Sequence, residues 1–159
     1  MNYNRDALNS CHGTRLVMSS EQSNARILRG ECLCRTVAYE VADAFEYALN
    51  CHCSNCRRAT GSAFKPFAGI ARDRLRLVRG DHDLLIHGEV SPQSPHDVHC
   101  KRCGSLLWSV VREGRFVHVA MGTLVDPPSI RPKAHIFAAS RAPWHEITDD
   151  LPQYAGHVT

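Results

Sequence analysis

The chain has 159 residues, 43% of them apolar and 22% charged, with a formal net charge of +3. That is material for one domain with its own core, and no apolar run approaches the roughly 20 residues needed to cross a bilayer. Lys and Arg are scattered rather than gathered, which speaks for solvated faces and against a nucleic-acid footprint. A soluble, cytoplasmic protein that binds neither membrane nor nucleic acid is expected.

In chain order, residues 1–28 lack the apolar stretch of a secretory signal. They read as a disordered leader with Cys11 alone in it, and Met18 is a second candidate start. A single folded domain over 29–159 follows. RGECLC contributes Cys32 and Cys34, and TVAYEV (36–41) alternates like a half-buried strand. NCHCSNCRRATGSAF (50–64) then puts Cys51, Cys53 and Cys56 within six residues. Ser54 as N-cap and Gly61 as a C-terminal stop predict a short helical turn just after them. Its amide N–H groups, with Arg57 and Arg58, would favour thiolates and an anionic ligand. DLLIHGEV (83–90), SLLWSVV (105–111), RFVHVAMG (115–122) and KAHIFAA (133–139) read as strands, rich in β-branched and aromatic residues. Turn signals separate them at Arg79-Gly80-Asp81, Ser91-Pro92, Glu113-Gly114-Arg115 and Asp126-Pro127-Pro128. The pattern is all-β.

Seven of the eight cysteines fall into C-x-C, C-x-C-x-x-C and C-x-x-C clusters. In a reducing compartment such spacing reads as metal binding before disulfide bonding. Cysteines two positions apart are poor disulfide partners but good ligands for one ion, which a tight loop can surround with sulfurs at about 2.3 Å. Seven ligands do not make two closed tetrahedra. The natural partition is four and three: Cys32, Cys34, Cys100 and Cys103 as a closed structural zinc site, and Cys51, Cys53 and Cys56 as a local trio. A structural zinc is four-coordinate, whereas a catalytic one keeps a position open, so the trio is the candidate working site. Two other readings stay open: closure of the trio by His52, another histidine or a carboxylate, and a redox C-x-x-C pair at Cys53 and Cys56. With seven thiolates on two zinc ions the formal charge would fall by about three, to about zero, which removes the case for an acidic partner.

RGECLCRTVAYEV, CHCSNCRRATGSAF, HCKRCGSLLW, MGTLVDP and HIFAASRAPWHEITDDLPQY together resemble the glutathione-dependent formaldehyde-activating enzyme family, which also contains centromere protein V. The match runs from about Arg29 to Tyr154. The resemblance implies an Mss4-like β fold with two zinc ions, one structural on Cys32, Cys34, Cys100 and Cys103 and one catalytic on Cys51, Cys53 and Cys56. It also implies glutathione as co-substrate, an aldehyde as second substrate and carbon–sulfur lyase activity. Two positions depart from the family pattern: Arg35 where glycine is frequent after the first C-x-C, and His99 where an aromatic residue is frequent. Neither removes a ligand.

On this reading a thiol such as glutathione occupies the fourth position at the trio, loses its proton there, and attacks an aldehyde carbon. Arg57, Arg58 and Lys65 are the candidates for holding its carboxylates, since arginine pairs with a carboxylate in two-pronged fashion. His52, between two ligands, is placed to relay a proton or to hydrogen-bond a metal-bound sulfur, or else points to solvent. Trp108 and Trp144 read as core or pocket-wall residues. The rival from another class is a non-catalytic zinc module that binds a protein partner; a fourth protein ligand at the trio would favour it. Whether the chain forms a homo-oligomer stays open.

Overall fold

The computed structural model describes residues 25–158, except for 89 and 92. The leader up to position 24, with Cys11 and Met18, lies outside the described residues. Among the described residues the chain forms ten strands and one α-helix: β1 (Ile27–Glu31), β2 (Ala38–Ala42), β3 (Tyr47–Cys51), α1 (Ser54–Thr60), β4 (Lys65–Ala71), β5 (Leu75–Arg79), β6 (Leu84–His87), β7 (His96–Cys100), β8 (Leu106–Val111), β9 (Phe116–Ala120) and β10 (His135–Ile136). They make two sheets. The smaller has the order β1-β2-β5 and the larger β10-β3-β4-β9-β8-β7-β6, antiparallel throughout except for the β10–β3 pair. This is the mainly β architecture expected of an Mss4-like fold. No helix among the described residues is long and apolar enough to cross a membrane.

The two-residue period of the strands decides which side chains meet. One face of the large sheet turns Ile70, Trp108, Val110, Val117 and Val119 onto Leu28, Tyr39 and Val41 of the small sheet, which closes the main core. The alternate positions, Leu49 and Cys51 of β3 and Phe67 of β4, lie on the opposite face and pack with Ile136 in a second, smaller cluster. The main core therefore joins the sheets, and the second cluster supports the cysteine trio.

Gly30 shows how closely the core is fitted. It stands opposite Tyr39 in the β1–β2 register, and a Cβ there would fall 2.1 Å from Tyr39 Cζ. Only glycine lets the buried ring lie across β1. Tyr39 then sits edge-on to Trp108 at 5.4 Å between centroids, with its hydroxyl 2.7 Å from Thr123 Oγ1.

The observed elements depart from the expected ones in definite places. Leu28, assigned from the sequence to the leader, is fully buried in β1, so the folded unit begins before position 29. The strand expected over 83–90 ends at His87. That expected over 133–139 shrinks to His135–Ile136, because Phe137 turns into the left-handed region at φ 55° and begins a 3-10 turn. The helix runs where expected, through Cys56 to Gly61, which ends it at φ 62°, but its N-cap is Cys53 rather than Ser54.

Candidate metal centre

Cys32 and Cys34 lie in the β1–β2 turn, Cys100 ends β7 and Cys103 lies in the turn that follows, and their four Sγ atoms all lie within 4.8 Å of one another. A tetrahedral zinc with Zn–S of about 2.3 Å needs sulfurs about 3.8 Å apart. The Cys32–Cys34 and Cys34–Cys100 separations are 3.5 and 3.8 Å. The surroundings suit thiolates. Val37 N–H donates to Cys32 Sγ at 3.3 Å, and the Thr36 and Ser105 hydroxyls lie 3.3 and 3.2 Å from Cys34 and Cys103 Sγ. The Ser105 hydroxyl holds the Cys103 thiol down at about 5, while burial pushes Cys100 up to about 12. A cation among them is what would let all four ionise. The donor set and spacing fit a closed zinc site.

The Arg35 departure has a local explanation. Arg35 sits at φ 63°, the left-handed conformation that glycine adopts freely and that costs another residue about 1–2 kcal/mol. Its N–H bonds Cys32 O at 2.9 Å, and its own carbonyl accepts from the Arg79 guanidinium at 2.8 and 3.1 Å. Arg79 thus holds the turn that glycine would form unaided. His99, the second departure, lies on β7 with Nδ1 3.2 Å from Gly104 O, beside the same sulfur cluster.

The trio is built differently, from a strand end and a helix start. Cys51 closes β3 and is buried, Cys53 caps α1, and Cys56 sits in its first turn, with all three sulfurs within 4.8 Å of one another. Cys53 Sγ accepts from Cys56 N–H at 3.4 Å, so the cap residue is also a ligand candidate. Their proximity moves the Cys51 and Cys56 thiols in opposite directions: Cys56 beside it lowers Cys51, and Cys51 together with burial raises Cys56. Among the described residues no histidine or carboxylate joins this group. The closure by a fourth protein ligand that the sequence allowed is therefore not seen, and the donor set suits a zinc with one position left for a non-protein ligand.

His52 is fully buried and does not point to solvent. Its Nε2 lies 2.7 Å from His135 Nδ1, and His135 Nε2 lies 3.0 and 3.1 Å from the Asp149 carboxylate. The carboxylate can only accept, so His135 donates to it from Nε2; with both rings neutral, His135 then accepts at Nδ1 and His52 donates from its own Nε2. That leaves His52 Nδ1 unprotonated, buried and, among the described residues, without a hydrogen-bond partner. Burial, with nearby positive charge, lowers His52 to about 4 and keeps it neutral at pH 7. Its backbone N–H bonds Ile136 O at 3.0 Å, so ring and backbone both tie the trio's loop to β10. His135 and Asp149 were not singled out from the sequence. The only available signal was a histidine in an apolar run, and its partner lies 83 residues away.

The three cationic candidates take different positions. Arg57 Nε donates to His52 O at 3.2 Å, bracing the same loop. Arg58, with Asn55 and Ala59, forms the α1 wall of a cavity of about 720 Å³ whose other walls are His87, Asp97, His99 and Ser109. The sulfurs themselves are not among its lining. Lys65 is only 4% exposed, and its ammonium donates to Ser109 Oγ at 2.6 Å. Trp108 is core, as read, while Trp144 is 72% exposed beside His145, which stacks on His52.

Comparison with known proteins agrees with this architecture. No curated protein matches the chain. A crystal structure of a Rhodobacter sphaeroides protein from a structural genomics programme is similar, with a TM-score of 0.51 and 25% identity over 66% of this chain and 92% of that one. The model of the glutathione-dependent formaldehyde-activating enzyme family matches residues 27–140, a span that holds both cysteine clusters. The chain belongs to the glutathione-dependent formaldehyde-activating enzyme family.

Proposed function

We propose that the chain is a zinc-dependent carbon–sulfur lyase of the S-(hydroxymethyl)glutathione synthase type, adding a thiol reversibly to an aldehyde. The observation that supports this best is the trio: three convergent sulfurs, and among the described residues no fourth protein ligand. When bound there, zinc supplies a Lewis acid that holds a thiol as thiolate at neutral pH. In the addition a C–S bond forms as the carbonyl π bond opens, and the sulfur's proton ends on the carbonyl oxygen; the lyase direction reverses each change.

The chain's own residues divide the remaining work. Cys51, Cys53 and Cys56 hold the metal from a loop that His52 and Arg57 brace. Arg58 presents its guanidinium to the cavity and pairs with a glutathione carboxylate. Arg57 contributes charge from the same helix. Lys65, given the same carboxylate-holding task from the sequence, has a buried ammonium already bonded to Ser109, which favours a part in the site's charge instead.

The test is exchange between free 13C-formaldehyde and its glutathione adduct, followed by NMR. Wild type accelerates the exchange, Cys53→Ser abolishes the acceleration, and Arg58→Ala raises KM for glutathione about tenfold, the weight of one charge-assisted pair. Exchange at the uncatalysed rate in zinc-replete wild type would sink the reading. One feature favours the rival protein-binding module: β6, an edge strand, exposes about half of Leu85 and Ile86.

A further inference from the structure

Lys65 poses a problem of charge. In the β3–β4 register it stands directly opposite Cys51, so the two side chains rise from the same face of the sheet. It is 4% exposed. A buried ammonium is costly unless an opposite charge compensates it. Yet among the described residues no carboxylate lies within 4.0 Å of its Nζ. The partner it does have is the neutral hydroxyl of Ser109, at 2.6 Å. Ser109 in turn donates its proton to Asp97 Oδ1, which leaves its lone pairs facing the ammonium. Asp97 is thus one hydrogen bond removed, while the register puts Lys65 across from Cys51, on the face of the sheet from which the trio's first sulfur rises.

We propose that Lys65 is the buried counter-charge of the Cys51, Cys53 and Cys56 thiolates, a positioning residue that sets how firmly the trio holds its metal and how readily it takes an anionic thiol. A divalent ion on three thiolates leaves one net negative charge, and Lys65 cancels it. A further thiolate then enters a neutral site rather than a negative one. Ser109 keeps the ammonium aimed at the site and separates it from Asp97, which would otherwise neutralise it. This inference rests on the trio as a metal centre and not on the aldehyde chemistry, so failure of the exchange reaction leaves it standing.

The experiment is chelator competition for cobalt and zinc on the full chain, read separately at the two sites, followed by glutathione titration of the cobalt spectrum. Lys65→Met should weaken metal binding at the trio about 10–100-fold, as loss of a supporting group near a metal does. It should weaken glutathione binding in parallel and leave the four-cysteine site unchanged. Lys65→Arg, which keeps the charge, should restore most of the metal affinity. Unchanged affinity in Lys65→Met overturns the proposal, and so does an equal loss in Lys65→Arg, which would make the effect one of packing. Should Lys65→Met not fold, Asp97→Asn decides. A change of less than about threefold at the trio is expected, whereas a tightening of about 10-fold or more would mean that Asp97 had been neutralising Lys65 and overturn the proposal.

Discussion

Cys100→Ser is expected to leave no folded protein under conditions where Cys53→Ser folds normally with one metal ion fewer. Cys100 is completely buried and packs in the main core with Cys32. Its cluster joins the β1–β2 turn of the small sheet to the end of β7 and the following turn of the large one, so a metal there would crosslink the two sheets. Binding at structural zinc sites contributes an apparent 10–16 kcal/mol or so, as much as the whole stability of a typical domain at about 5–15 kcal/mol. Serine at position 100 would also bury a hydroxyl where a thiolate belongs. Cys53 is partly exposed and outside that core, and its capping bond to Cys56 N–H is one that serine makes well. Metal content by mass spectrometry under native conditions, with circular dichroism, checks both variants. Equal tolerance of the two substitutions would show that the four-cysteine site does not hold the sheets together.

The second large effect concerns acid. His118 lies on the outer face of the large sheet, where its Nε2 is 2.8 Å from the Tyr47 hydroxyl. Burial above all, then the charges of Lys65 and Arg112, push it down to about 3. A histidine in the unfolded chain titrates near 6.5. Between these values the unfolded chain takes up a proton that the folded one refuses, so stability falls as pH drops from about 6.5 toward 3, by about 1.4 kcal/mol per unit. At pH 5 the loss is about 2 kcal/mol. Acid also protonates the cysteines and strips metal, but it does so in any variant. Urea unfolding of metal-loaded wild type and His118→Gln at pH 7 and pH 5 therefore isolates the histidine: the variant should lose about 2 kcal/mol less between the two. An identical loss in both proteins would mean that His118 is free to protonate in the fold.

The two cysteine clusters were legible because their chemistry is local. C-x-C and C-x-x-C spacings constrain a loop whatever the rest of the fold does, and counting seven sulfurs was enough to part them four and three. Strands with alternating β-branched residues, such as those around Tyr39, Trp108 and Val117, were equally plain. β4 was not, because KPFAGIA mixes proline, glycine and alanine and owes its strand state to pairing on both sides, with β3 and β9. The roles of Lys65 and His52 were hidden for a related reason. A lysine directly after an aromatic reads as solvated until the register sets it opposite Cys51, and the histidine's partner comes from a strand 83 residues away. Arg35 runs the other way: a departure plain in the sequence is, in the fold, a left-handed turn that Arg79 holds in place.

The central claim is that the trio accepts a small thiol, and the most direct measurement is the cobalt-substituted protein titrated with glutathione while the sulfur-to-cobalt charge-transfer band is followed. Wild type should bind two cobalt ions, and glutathione should change the spectrum of one; Cys53→Ser should bind one ion whose spectrum glutathione leaves alone. A wild-type spectrum indifferent to glutathione and to other small thiols would contradict the account, and would turn attention to the exposed edge of β6.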